Sequence, residues 1–260
     1  MRVEVTIPPM VDALEGKVAI VTGAGRGVGR GIALALAKAG AAVAVLELDP
    51  ATGARTAEEI AALGGRAFAQ RCDVKSADDC VAGLAATVDA FGGLDVLVNN
   101  AQQVRPFVRF EDATDADMAA CWESGPLATF RLMQLALPYL RDRGGGTVVN
   151  LGSGAGTEGM PGFAPYAAAK EATRGLTKVA AREWGRHGIR VNVLCPYAAS
   201  EHWDSLSEDE RAGRLRGVPL RRMGDPEADV GGVVVFLASD AGSYVTGQTI
   251  MVDGGTAGFR

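Results

Sequence analysis

Short apolar runs alternate with Ala- and Leu-rich stretches along most of this chain. Lys17-Val18-Ala19-Ile20-Val21 is β-branched, is bounded by Gly16 and Gly23, and reads as a buried strand. Comparable runs predict further strands at residues 42–46, 67–72, 94–98, 147–151, 189–194 and 249–252. Between them, helical patterns cover residues 32–39, 56–63, 77–91, 118–140, 166–184 and 230–238. Gly40, Gly64-Gly65 and Gly92-Gly93 stop three of these helices as C-caps do. The pattern over 118–140 breaks near Gly125-Pro126. Strands alternating with helices at this rhythm predict an α/β fold, a doubly wound seven-stranded parallel sheet with helices on both faces. No linker or repeat divides it, so residues 14–260 read as a single domain and residues 1–13 as an N-terminal extension.

The turn after the first strand adds chemistry to this pattern. Thr22-Gly23-Ala24-Gly25-Arg26-Gly27-Val28-Gly29 links strand to helix, the context in which a Gly-rich loop cradles a pyrophosphate. The fold is then a single-domain Rossmann fold. The second strand ends in Glu47, 24 residues after Gly23 (47 − 23). A carboxylate there accepts hydrogen bonds from ribose hydroxyls and repels a 2′-phosphate. Leu48 adds no cation to offset it, so NAD(H) is expected over NADP(H); Arg26 is the residue that argues for NADP(H). Ligands of such sheets lie beyond the carboxyl ends of the strands. Gly23, Glu47, Asp73, Asn100, Ser153 and Pro196 all fall at or just after strand ends and should converge on one edge.

Tyr166-Ala167-Ala168-Ala169-Lys170 favours helix and sets a phenol and an ammonium one turn apart on one face. An ammonium beside a phenol is expected to lower its pKa from about 10, which suits general acid/base work near neutral pH.

Composition narrows the remaining classes. Among 260 residues, 26 basic against 31 acidic side chains give a net charge of −5, which argues against a general nucleic-acid or anionic-membrane binder. No apolar run reaches the ~18 residues of a membrane span. The start of the chain carries Arg2 and Pro8-Pro9 and lacks the apolar core of a signal peptide. Cys72, Cys80, Cys121 and Cys195 are scattered and read as buried, reduced thiols of a cytoplasmic protein. With His187 and His202 the only histidines, no ligand spacing for a metal emerges.

Taken together, these residues resemble the short-chain dehydrogenase/reductase family from about Leu14 to Gly255. The resemblance is carried by Thr22-Gly23-x-x-x-Gly27-x-Gly29, Asp73-Val74, Asn99-Asn100-Ala101, Ser153, Tyr166-x-x-x-Lys170 and the stretch from Val245 to Gly255. It is nearest to bacterial 3-oxoacyl-carrier-protein-reductase-like members. It implies hydride transfer between nicotinamide and a secondary alcohol or ketone. Tyr166 would be the general acid/base, Lys170 would tune it and bind the nicotinamide ribose, and Ser153 would hold the substrate oxygen. The cofactor would lie against Gly23, Arg26, Gly27, Val28, Gly29, Glu47, Asp73, Val74, Asn100 and Ala101, with Tyr166, Lys170, Pro196 and Ala199 near the nicotinamide. A homotetramer or homodimer would form through the helices at 118–140 and 166–184.

Three departures stand out. Gln102 replaces the Gly that usually follows Asn-Asn-Ala, and Tyr197 replaces the Gly that usually follows Pro196. Gly125 aligns with a family Asn that joins a proton relay through water, so the relay runs through water and backbone alone or turnover is slow. Gln102, Tyr197 and Trp203 are the candidate substrate-pocket residues, although Gln102 and Tyr197 also fit drift at tolerant loop positions. Residues 199–222 are the expected substrate lid. Ser207 caps a helix there whose Arg211, Arg214 and Arg216 read as a solvated face. Two alternatives stay open: an NADPH-dependent 3-oxoacyl thioester reductase, and a cofactor-binding regulatory protein with weak catalysis.

Overall fold

The computed structural model describes residues 12–104, 107–199, 203 and 205–257. The extension expected at 1–13 therefore lies almost wholly outside the described residues, as do four positions of the expected lid, 200–202 and 204.

Seven strands form one sheet: β1 (Val18–Thr22), β2 (Ala42–Glu47), β3 (Ala67–Arg71), β4 (Val96–Asn99), β5 (Gly146–Leu151), β6 (Ile189–Pro196) and β7 (Thr249–Val252). Their order is β3-β2-β1-β4-β5-β6-β7, and every neighbouring pair is parallel. The winding reverses between β1 and β4, which opens a crevice at their carboxyl ends. Register aligns those ends: Thr22 pairs with Leu46, Val21 with Val98, and Asn99 with Asn150.

Both sheet faces are covered, so strand residues alternate between two cores. Ala19, Val21, Val43 and Val45 pack with α1 (Gly27–Lys38) on one side. Ile20, Ala44 and Leu46 pack on the other with α3 (Ala77–Phe91) and α5 (Ala128–Asp142). All seven strands lie where the apolar runs placed them. No described helix is long and apolar enough to cross a membrane.

Helix starts differ from the sequence pattern for local reasons. α2 runs Pro50–Ala62, starting before the expected residue 56, because Asp49 caps Ala51 N at 2.9 Å and Pro50 suits the first helical position. The long pattern over 118–140 is two helices, α4 (Asp115–Trp122) and α5, joined by a π-helical turn at Glu123–Leu127 that contains Pro126. A capping box between Thr114 and Asp117 starts α4. A four-residue helix, α6 (Gly154–Thr157), precedes the long α7 (Ala164–Trp184). The Ser207 cap is present, in a capping box with Glu210 that opens α8 (Glu208–Leu215). A second π-helical turn, Pro226–Gly231, leads into α9 (Gly232–Ala238) and packs against α1.

Candidate active site

A cavity of about 880 Å³ opens beyond the carboxyl ends of the strands. Of the residues singled out from sequence, Gly23, Arg26, Val28, Gly29, Glu47, Asp73, Val74, Asn100, Ala101, Gln102, Ser153, Tyr166, Lys170, Pro196 and Tyr197 line it. Gly27 stands outside its wall, at the start of α1 with a φ of 53°. Ala199 is also outside, its N–H donated to Gly224 O at 2.9 Å. Trp203 is not part of the wall; its ring lies under the Arg211 guanidinium at 5.9 Å. Lys75 and Ser124 line the cavity without having been anticipated. Lys75 follows Asp73-Val74 directly, and that adjacency was the available signal. Ser124 had none, because the π-turn that turns it inward is not written in the hydrophobic pattern.

The glycine loop is packed backbone to backbone. A Cβ at Gly29 would stand 2.2 Å from Gly23 O and 2.5 Å from Asn100 Nδ2, and one at Gly25 would stand 2.4 Å from Thr52 Oγ1. Asn100 ties the loop to β4. Its Nδ2 donates to Thr22 O at 2.9 Å and to Gly23 O at 3.0 Å, while Thr22 Oγ1 accepts from the N–H groups of Asn100 and Ala101, each at 3.0 Å. The N-cap of α1, Arg26, makes no side-chain cap bond. The first-turn N–H groups therefore face the cavity end of α1 with the helix's positive dipole behind them. This cradle, which extra side-chain atoms would fill, fits the pyrophosphate of a dinucleotide.

Glu47 is held on two sides. Oε2 accepts from Gly25 N at 2.8 Å, and Oε1 accepts from Leu48 N at 2.8 Å and Asp49 N at 3.3 Å. Its charge thus sits at the mouth of the loop.

Ser153, Tyr166 and Lys170 come together from β5 and α7. Ser153 caps α6, its Oγ accepting from Ala155 N at 3.1 Å. Tyr166 is half-buried, and burial pushes its hydroxyl up to about 12, against the pull of a hydrogen bond with Ser153. Lys170 is 4% exposed and donates to Leu151 O at 2.6 Å. Burial pushes its ammonium down to about 8. The expected lowering of the phenol by the lysine is therefore corrected. The two groups are close, with Nζ 5.4 Å from the Tyr166 ring centre, yet the ammonium is aimed at a β5 carbonyl and desolvation dominates both titrations. A buried ladder holds the elements in place: Asn99 Nδ2 donates to Asn150 Oδ1 at 2.8 Å, and Asn150 Nδ2 donates to Thr177 Oγ1 at 2.9 Å.

Comparison with known proteins fits this geometry. A family model described as enoyl-(acyl carrier protein) reductase matches residues 23–257. A 12α-hydroxysteroid dehydrogenase from a Clostridium species is 44% identical over 168 residues, which is 64% of this chain and 64% of that relative's length. A 3-oxoacyl-[acyl-carrier-protein] reductase of Vibrio cholerae is 38% identical over 255 residues, covering 93% of this chain and 98% of the relative. Among solved structures, a 7α-hydroxysteroid dehydrogenase in complex with NADH and 7-oxo glycochenodeoxycholic acid superposes with a TM-score of 0.90 at 34% identity, covering 96% of this chain and 98% of that one.

Proposed function

The chain belongs to the short-chain dehydrogenase/reductase family, whose members are oxidoreductases acting on CH–OH or C=O groups, and from that premise we propose that it interconverts a secondary alcohol and a ketone with NAD(H) at Ser153, Tyr166 and Lys170. The observation that carries this reading is the convergence of those three side chains on one cavity at the point where the sheet's winding reverses. The nicotinamide supplies or accepts the hydride. Everything else is positioning and one proton. In reduction the substrate oxygen gains a proton as its carbon gains the hydride. Tyr166 is that proton's donor, and Ser153 holds the same oxygen. A phenol pushed up to about 12 is neutral at pH 7 and carries the proton reduction needs. Lys170, at about 8, is mostly protonated there and re-protonates Tyr166 after each turnover.

Gly23, Arg26, Gly27, Val28 and Gly29 would hold the pyrophosphate. Glu47 would take the adenosine ribose, Asp73 and Val74 the adenine, Asn100 and Ala101 the adenosine side, and Pro196 and Ala199 the nicotinamide. Gln102 and Tyr197 border the substrate under a lid at about 199–222, in which Trp203 packs against Arg211. The Glu47 carboxylate at the loop mouth supports NAD(H) over NADP(H). A second reading, reduction of a 3-oxoacyl thioester with NADPH, is favoured by two cations on the cavity wall, Arg26 and Lys75. Cys72, Cys80, Cys121 and Cys195 are all buried and none is in a disulfide, which supports a reducing, cytoplasmic setting. Exposed Met118, Trp122, Phe130 and Val179 on α4, α5 and α7 support assembly as a tetramer or dimer through those helices.

The test is a panel followed in NADH and NADPH absorbance: ethyl acetoacetate, acetoacetyl-CoA, 7-oxo and 12-oxo steroids, and simple secondary alcohols. The expected result is turnover of at least one class with NADH, abolished in Tyr166→Phe. Equal turnover with and without the Tyr166 hydroxyl would discard the reading. Light scattering on the eluted protein reads the assembly state.

A further inference from the structure

Two departures from the family pattern, Gln102 and Gly125, meet in space. A Cβ at Gly125 would stand 2.7 Å from Gln102 Nε2, 2.8 Å from its Cδ and 2.9 Å from its Oε1. The Gln102 carboxamide therefore fills the volume that any side chain at 125 would require. Gly125 is not among the glycines with positive φ, so space rather than backbone freedom demands glycine there.

The surrounding backbone explains why an amide belongs in this notch. In the π-turn Glu123–Leu127, the i to i−5 donor to the Cys121 carbonyl would be residue 126 (126 − 5 = 121), which is proline and has no N–H. Gln102 Nε2 donates to that carbonyl at 3.3 Å. The loop after β4 is thus tied to the α4 backbone beside the π-turn that contains Pro126. Among the described residues none donates to Gln102 Oε1, and Gln102 shares the cavity wall with Ser124, Ser153, Tyr166 and Lys170. The π-turn packs against α7, which carries both Tyr166 and Lys170, and the Cys121 thiol is close enough to influence the titration of both.

We propose that Gln102 is a positioning residue of this site: seated in the notch left by Gly125, its carboxamide braces the α4–α7 wall and offers its oxygen to the path by which solvent protons reach Lys170. This rests on the reading that Tyr166 and Lys170 move the proton. Each reduction takes one proton from Tyr166 to the substrate oxygen. One solvent proton then returns to Tyr166 through Lys170. Gln102 neither gains nor loses a proton; it accepts a hydrogen bond from the water that delivers it. An amide placed at 125 with glycine at 102 would do the same work, so the two positions form an exchangeable pair.

The experiment compares Gln102→Gly, Gly125→Asn and the double variant, using the panel substrate that wild type turns over best, with the pH profile of kcat and Tm as further readouts. Each single variant is expected to lower kcat about tenfold, as loss of one supporting hydrogen bond does. KM should change by less than kcat, because the amide acts chiefly on proton supply. The inflection of the kcat profile should move by about half a pH unit in Gln102→Gly. The double variant should recover kcat to within about threefold of wild type, a coupling that neighbours in contact show. The proposal is overturned if Gln102→Gly lowers Tm alone and leaves kcat and its pH profile as in wild type. It is equally overturned if the double variant is no better than the worse single. Retained turnover in Tyr166→Phe, by contrast, removes the reading beneath it.

Discussion

Replacing Glu47 by glutamine keeps the side chain's size and removes its charge. In the native chain one carboxylate oxygen accepts from Gly25 N at 2.8 Å, and the other accepts from Leu48 N at 2.8 Å and Asp49 N at 3.3 Å. A carboxamide has a single oxygen. One side of the clamp then meets an NH₂ group where an acceptor stood. Leaving an N–H unpaired in this half-buried place costs about 1–3 kcal/mol, or roughly 5- to 150-fold if the loop must close on its ligand. Charge is the second effect. A 2′-phosphate carries about two negative charges, and at ~5 Å in a watery surrounding one carboxylate repels them by about 1.7 kcal/mol, near 20-fold in affinity.

The two effects separate on titration with NADH and NADPH, followed by fluorescence or calorimetry. Both cofactors lose the clamp, but only NADPH is relieved of the repulsion. In Glu47→Gln the Kd for NADH should therefore rise at least about fivefold, and the NADPH-to-NADH Kd ratio should fall by about tenfold or more. Equal losses for both cofactors would mean that Glu47 holds the loop and has no part in selecting the ribose. Tighter binding of NADPH than NADH by the wild type would refute the preference itself.

Tyr166→Phe should lower kcat by about 10²- to 10⁴-fold while the NADH Kd stays within about threefold, and unchanged turnover would remove the phenol from the chemistry. Gly29→Ala presses a methyl to 2.2 Å from Gly23 O and 2.5 Å from Asn100 Nδ2, so the backbone must give. A loss of about 1–3 kcal/mol in stability, read by urea unfolding, and weaker NADH binding should follow; an unaltered variant would show that the loop is looser than this packing implies. Lys170 has a folded pKa of about 8 against 10.5 ordinarily, so the unfolded chain binds its proton more tightly. The cost of burying it is complete below pH 8 and fades as pH rises from 8 to 10.5. Across that window wild type should gain about 3 kcal/mol on Lys170→Met, from the gap 10.5 − 8. Parallel stability curves for the two proteins in urea at pH 7.5 and 10 would contradict this.

The sheet was legible because its inner strands β1, β2, β4 and β5 are buried on both faces and are written as short apolar runs, while the half-buried edge strands β3 and β7 follow the same rhythm. Its topology followed from alternation with helices. Helix starts were less legible. The pattern over 56–63 hid the true start at Pro50, since the first turn of α2 is largely solvated and only the Asp49-Pro50 pair marks it. The π-turns were not legible at all: Gly125-Pro126 announces a break, but whether the chain kinks, stops or widens by one residue depends on what packs against it. The same limit explains Trp203, whose ring meets Arg211 and not the cavity. Beyond β6, side-chain direction is set by tertiary contacts that no periodicity records.

Tyr166 and Lys170 show where spacing stops informing. Four residues of helix bring Tyr166 and Lys170 together, and that much needs only backbone geometry. Their proton affinities depend on solvent exclusion and on where the ammonium is aimed. Leu151 O, presented by the end of β5, takes the lysine at 2.6 Å. The phenol is left with Ser153 and with burial, and burial wins. The consequence is a pH dependence. With the phenol neutral and the ammonium mostly charged at pH 7, the resting site already holds the proton that reduction consumes. Oxidation of an alcohol must first remove it. That removal becomes easier only as pH climbs past about 8 and Lys170 gives up its charge. The same wall that carries Gln102 in the notch of Gly125 then controls how fast protons cross between this pair and solvent, in either direction.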